Sequence, residues 1–179
     1  MQRSDEEQML AAGQGDLDAF RDLVLAHQRA AWSVAVRFLR DPAEAEDVVQ
    51  EAFIRILKAA PRYRPTASFR TYLFQVVTRL CIDAAEKKRP AYSDALPDIA
   101  DPSPSSEERL VVQEEVAELQ RALEALPPNQ RMAIILQHHE GLRYVEIAQV
   151  MGMSPKAVEG LLARARGALQ VRLAALKKG

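Results

Sequence analysis

One cysteine, three histidines and one tryptophan are all that 179 residues hold of those types. Each scarcity removes a class of function. The single cysteine, Cys81, excludes an internal disulfide and sits in an apolar helical pattern. It reads as a buried core thiol, and a cytoplasmic location is expected. His138 and His139 are adjacent, so they point to different sides of a helix and make a poor metal pair. His27 has no partner evident in the sequence. There is no glycine-rich phosphate loop, no nucleophile elbow and no cysteine cluster. No metal, no cofactor and no catalytic residue are therefore expected, and the protein reads as a non-enzyme. No apolar run approaches ~20 residues, so no transmembrane helix is expected. The start, MQRSDEEQML, is polar and acidic and lacks the apolar stretch of a signal peptide. Alternating β-branched runs and Asn-Gly hairpins are missing too. An all-α fold is what remains.

Hydrophobic residues make up 48% of the chain, enough to give one large domain or two small ones real cores. The net charge of −1 conceals a segregation. Residues 1–60 carry seven basic and eleven acidic side chains, and residues 61–89 carry seven and two. Residues 90–126 carry two and nine, and residues 127–179 eight and three. Two basic blocks alternate with two acidic ones. A polyanion that touches separate basic surfaces needs such a pattern; chance clustering is the alternative.

The remaining chain can be arranged around Asp41–Lys58, DPAEAEDVVQEAFIRILK. Asp41 suits an N-cap, Pro42 the first helical position, and Glu44 stands three residues after the cap. Acidic residues crowd the first turns, where the helix dipole favours them. Ala45, Val48, Val49, Ala52, Phe53, Ile56 and Leu57 form one apolar stripe. Asp47, Gln50, Glu51, Ile54 and Lys58 line the opposite face. That face is either a solvated surface with one stray apolar residue or an acidic docking surface with an apolar centre.

Before this helix, residues 5–13 read as a short helix. Asp16 caps a longer one with a stripe of Phe20, Leu23, Val24, Ala31, Ala35, Phe38 and Leu39, and a break is expected near His27. After it, AAPRYRPTAS (59–68) is a proline-punctuated loop. Ser68 caps a helix built on Phe69, Tyr72, Leu73, Val76, Val77, Leu80 and Ala84, which stops at Lys87, Lys88, Arg89 and Pro90. Residues 90 to about 106, rich in proline, serine and aspartate, show no apolar period and read as a flexible acidic linker. An acidic helix follows from roughly 106 to 125, and Pro127 and Pro128 break it. Two small helical domains joined by the linker are expected, with boundaries at 1–89, 90–114 and 115–179.

Two segments carry nucleic-acid signals. Residues 144–166 have helix-turn-helix proportions: a short helix ending at Gly152, then a second capped by Ser154 with Pro155 first. Val158, Leu161, Leu162, Ala165 and Leu169 form the inner stripe of the second helix. Lys156, Glu159, Gly160, Ala163 and Arg164 form an outer face suited to the major groove. A plain helical hairpin is the alternative. In the other basic block, Arg62, Tyr63, Arg64, Phe69, Arg70, Tyr72, Phe74 and Arg79 mix cations with aromatics, as single-stranded nucleic acid requires. Phe69 and Tyr72 also fit the core stripe; Tyr63 and the arginines lie outside it.

DPAEAEDVVQEAFIRIL, FRTYLFQVVTRLCIDAAEKKRP and LEALPPNQRMAIILQHHEGLRYVEIAQVMGMSPKAVEGLLARARGAL, in that order, resemble the extracytoplasmic-function (ECF) sigma factors of bacteria. These small sigma-seventy proteins keep only regions two and four, and the resemblance covers roughly residues 10–175. It implies a non-enzymatic alternative sigma factor that binds core RNA polymerase and directs initiation at chosen promoters. The implied β′ coiled-coil contacts are Asp47, Gln50, Glu51 and Ile54. The implied minus-ten contacts are Arg62, Tyr63, Arg64, Ser68, Arg70 and Arg79, with the 63–68 loop capturing a flipped non-template base. The implied minus-thirty-five contacts are Ser154, Lys156, Glu159, Gly160, Ala163 and Arg164, in a region that also meets the β flap. The acidic linker resembles the segment that threads the RNA exit channel, and an anti-sigma factor is implied as a further partner.

The chain departs from the family pattern in two places. Arg143 stands where many relatives have Ser or Thr. Glu159, Gly160 and Leu161 stand where many have a basic residue, a small polar one and Arg, so the promoter preference does not carry over. Two other classes compete with this reading. A stand-alone helix-turn-helix regulator would need residues 10–89 as a sensor or dimerisation domain. A structural adaptor would leave both basic blocks unexplained.

Overall fold

The computed structural model describes residues 3–88 and 107–176. Every regular element among them is helical. The order is α1 (Asp5–Gly13), α2 (Leu17–Leu39), α3 (Pro42–Ala59), a single 3-10 turn (Ala60–Arg62), α4 (Phe69–Lys87), α5 (Glu107–Glu124), α6 (Pro128–His138), α7 (Tyr144–Met151) and α8 (Pro155–Leu176).

Local chemistry sets the boundaries. Ser4 and Glu7 close a capping box on α1, whose Glu7 N–H donates to Ser4 Oγ at 3.2 Å. Asp16, Asp41 and Ser68 accept the backbone N–H three residues on, capping α2, α3 and α4. The break expected near His27 is not there, and α2 runs unbroken through it. The ring of His27 is tied down instead: Nε2 lies 2.7 Å from Asp5 on α1, and the ring packs against Phe69. α2 ends at Arg40, the one non-glycine residue with positive φ among the described residues. The linker expectation for residues 90–106 lies outside the described residues; α5 is helical from Glu107.

The first four helices bury Leu23, Phe38, Ile56, Phe69, Leu73, Phe74 and Cys81. The last three bury Met132, Leu136, Ile147, Val158 and Leu162. The two groups meet directly, α4 against α7 and α2 against α6, and their apolar interiors form one continuous cluster. Polar contacts cross the seam. Arg70 Nη2 on α4 donates to the Glu140 carboxylate at 2.8 Å and to its carbonyl at 3.2 Å. Gln75 donates to the Gln149 carbonyl at 2.9 Å. The Arg131 guanidinium lies 4.2 Å over the Phe38 ring. Arg40 reaches Gln120 at 2.7 Å and Glu124 at 3.3 Å on α5.

Candidate nucleic-acid interface

Three surfaces carry the residues singled out by the sequence. The first is the outer face of α3. Ala45, Val48, Val49, Ala52, Phe53 and Ile56 are buried on one side. On the other, Asp47, Gln50 and Ile54 are exposed and Glu51 is half-buried. Ile54 leaves 47% of its area in water amid these polar neighbours. Arg55 donates to Glu51 at 2.6 Å, which holds the Glu51 carboxyl below its usual range. A residue missed from sequence stands beside this stripe: Trp32 on α2, 38% exposed, in a groove it shares with Gln28, Arg29, Glu46, Val49 and Gln50. An outward tryptophan on a helix with an otherwise regular stripe was the available signal.

The second surface is the loop 63–68 with the outer side of α4. Arg62, Arg64 and Ser68 are exposed. Ser68 Oγ lies 2.9 Å from the Thr71 hydroxyl as well as capping α4. Tyr63 does not stand clear of the core as its position outside the stripe suggested. Its ring leans on Tyr72 at 5.5 Å, and its hydroxyl is buried without a hydrogen-bond partner. Burial, with the nearby Glu6 charge, pushes its pKa up. Arg79 is exposed on the side of α4 that carries Tyr72. Arg70, nine residues earlier, emerges from the opposite side at 3.6 residues per turn. The fold therefore groups Arg62, Tyr63, Arg64, Ser68 and Arg79, and turns Arg70 away to Glu140, whose side chain is only 9% exposed.

The third surface is the outer face of α8. Gly152, at φ +65°, ends α7 in the left-handed conformation, and the Met153 N–H returns to the Ala148 carbonyl at 2.9 Å. Ser154 Oγ accepts the Ala157 N–H at 3.1 Å and starts α8. Ile147, Ala148, Val150, Val158, Leu161, Leu162 and Ala165 are buried between the two helices. Ser154, Lys156, Glu159, Ala163 and Arg164 are exposed together, with Gly160 half-buried among them. Arg166 is not available to Glu159: it donates to Gln137 at 2.8 Å and to Tyr144 at 3.2 Å. Among the described residues Glu159 makes no ion pair. Arg143 at the start of α7 lacks a side-chain acceptor, so only half a capping box forms, Glu146 accepting the Arg143 N–H at 2.8 Å. No group of three or more His, Cys, Asp or Glu side chains able to hold a metal occurs among the described residues.

The family models for "Sigma-70 region 2" and "Sigma-70, region 4" match residues 23–90 and 117–169. The RNA polymerase sigma-H factor of Pseudomonas aeruginosa is 32% identical over 96% of this chain and 95% of its own length. The chain belongs to the sigma-70 family, in its extracytoplasmic-function group. It is an alternative sigma factor, which gives core RNA polymerase its choice of promoter. The ECF RNA polymerase sigma-E factor of Escherichia coli (strain K12) is 33% identical over 87% of this chain and 86% of its own. Among solved structures, CnrH in complex with the cytosolic domain of CnrY aligns with 97% of this ECF sigma factor and 99% of that chain. The TM-score is 0.73 at 28% identity. The sigma factor RpoE of Bartonella quintana, in complex with the anti-sigma factor NepR, shares the fold with a TM-score of 0.64 at 20% identity.

Proposed function

We propose that the three surfaces divide the work of initiation, and that the chain acts in the cytoplasm with no catalysis of its own. Residues 1–89 form the region-two half and residues 115–179 the region-four half, with 90–114 between them. Asp47, Gln50, Glu51 and Ile54 on α3, widened by Trp32, dock on the β′ coiled coil of core polymerase. An exposed apolar centre within a polar rim is the anatomy of a protein interface. Arg62, Tyr63, Arg64, Ser68 and Arg79 engage the minus-ten element, and the 63–68 loop takes up an unpaired non-template base. Arg70 joins them only after leaving Glu140. Ser154, Lys156, Glu159, Gly160, Ala163 and Arg164 read the minus-thirty-five element in the major groove, and the same half meets the β flap. The contacts between α2 and α4 on one side and α6 and α7 on the other offer an anti-sigma factor a closed form to hold.

The observation that carries this reading is that a single chain exposes both the α3 stripe and the α8 face, on helices whose opposite sides are buried. A DNA-binding regulator has use for the second and none for the first. Run-off transcription with purified core polymerase tests it. Addition of the protein is expected to start transcripts at promoters the core alone ignores. Duplex binding without any transcript would instead mark a stand-alone regulator.

Replacing Tyr63, Arg64 or Ser68 with alanine is expected to spare the closed complex and slow strand opening, since base stacking is worth about 1–3 kcal/mol per base. Permanganate footprints at limiting protein report the opening; footprints equal to wild type would remove the loop from the melting step.

A further inference from the structure

Helix α1 precedes the segment matched by the region-two family model, and nothing assigned so far uses it. It lies across the two ends of the 63–68 loop. At its C-terminal end, Gly13 presses on the backbone where the loop begins: a Cβ there would collide with the Ala60 carbonyl. At its N-terminal end, the Glu6 carboxylate accepts the backbone N–H of Phe69, where the loop ends, at 2.9 Å. The Phe69 N–H is one of the donors that a helix start leaves unpaired. Ser68 Oγ serves Thr71 in the same turn, and the Phe69 N–H is served by a side chain from α1.

Glu6 is itself backed. Its neighbour Asp5 is held by His27, whose ring also packs on Phe69 at 5.2 Å. Met9 and Ala12, between Glu6 and Gly13, are buried and fix α1 to the core. Tyr63 leans inward with its hydroxyl unpartnered, so no side-chain hydrogen bond of its own sets the loop's shape.

We propose that α1 is a positioning element for promoter opening: Glu6 and Gly13 fix the two ends of the 63–68 loop and set how Tyr63, Arg64 and Ser68 meet the unpaired strand. The proposal rests on the role assigned to that loop above. Neither residue touches DNA; each acts through the backbone it holds.

The test uses holoenzyme made from the full chain and core polymerase. The probe is a fluorescent single-stranded oligonucleotide carrying the non-template minus-ten strand of a promoter from which wild-type holoenzyme gives a run-off transcript. Glu6→Ala is expected to weaken oligonucleotide binding by about tenfold to hundredfold, the scale on which ångström misplacement is felt. Core binding and duplex minus-thirty-five binding stay at wild-type strength. Glu6→Gln, whose amide oxygen still accepts the Phe69 N–H, restores binding, and Gly13→Ala reproduces the defect from the other end of the loop. Hydrogen exchange at the Phe69 amide is slow in wild type and in Glu6→Gln and fast in Glu6→Ala. If Glu6→Ala fails to fold, Glu6→Asp, one methylene short of Phe69, is read against Glu6→Gln in its place.

Folded Glu6→Ala and Gly13→Ala proteins that bind the oligonucleotide like wild type overturn the proposal. So does an equal loss of all three binding activities, which would mark a general loss of structure. A wild-type holoenzyme that transcribes but does not bind the oligonucleotide overturns the loop's assigned role together with this one.

Discussion

Under the proposed reading, Glu159 is the α8 residue with the most bearing on promoter choice. It stands on the exposed face of α8 between Lys156 and Arg164 and makes no ion pair with either among the described residues, while Arg166 is taken by Gln137 and Tyr144. A carboxylate there repels phosphate but accepts a hydrogen bond from a cytosine amino group. Glu159→Ala is expected to cost about 1–3 kcal/mol on the cognate promoter and to relax preference at one position of the minus-thirty-five element. Lys156→Ala is expected to weaken all promoters alike and to flatten the salt dependence. Selection from a promoter library reads both, and an unchanged preference for Glu159→Ala would reduce Glu159 to a surface charge. Glu6 makes a second prediction at this scale. The hydrogen bond from the Phe69 N–H holds the Glu6 pKa below its ordinary value. A depressed carboxyl stabilises the fold above the unfolded-state pKa and loses that contribution as pH falls through the folded-state value. The acid limb of a thermal-stability profile is expected to be shallower in Glu6→Gln than in wild type. Cys81 makes a third: burial pushes its pKa up to about 12. The native thiol is expected to resist a disulfide reagent that labels it rapidly in denaturant.

At the scale of the element, α3 and α8 each divide cleanly into a buried and an exposed side. Asp47→Lys and Glu51→Lys on α3 lie off the buried stripe, so both are expected to leave helix content unchanged and weaken core binding. A pull-down at moderate salt reads this, and wild-type affinity in both variants would remove the docking role. In α8, Gly160 sits mid-helix, where glycine costs roughly 0.5–1 kcal/mol against alanine. A Cβ there would meet only the end of the Arg164 side chain, at 3.6 Å. Gly160→Ala is therefore expected to raise thermal stability. If the backbone comes close to the duplex at this point, the same change lowers affinity for the minus-thirty-five element.

At the scale of the molecule, the two halves are closed on each other. A compact chain of this length has a radius of gyration of about 16 Å. Minus-ten and minus-thirty-five elements, by their names about 25 base pairs apart, lie about 85 Å apart along a duplex at 3.4 Å per pair. One compact body cannot reach both, so under the proposed assignment of the two DNA-binding surfaces the seam is expected to open on promoter DNA. Arg70 records the conflict, since it is paired across the seam with a largely buried Glu140. Glu140→Gln weakens that pairing and is expected to increase the radius of gyration of the free protein by small-angle scattering. An unchanged radius would mean that the Phe38–Arg131 contact and the apolar seam hold the halves together without the ion pair.

The all-α character, the capped starts of α2, α3, α4 and α8, the Cys81 thiol and the outer faces of α3 and α8 were legible in the sequence. They follow from local rules: apolar spacing near 3.6, capping side chains, and glycine or proline at the ends. What the chain does at a distance was not legible. His27 found Asp5 twenty-two residues away, Glu6 found Phe69 across sixty-three, and Arg70 found Glu140 across seventy. Tyr63 was turned inward by Tyr72, and α2 kept going where a break was expected. Periodicity tells which side of a helix is buried and not which neighbour buries it. Pairings between remote segments are chosen by packing and by the need to satisfy buried polar groups, and only the tertiary structure decides them.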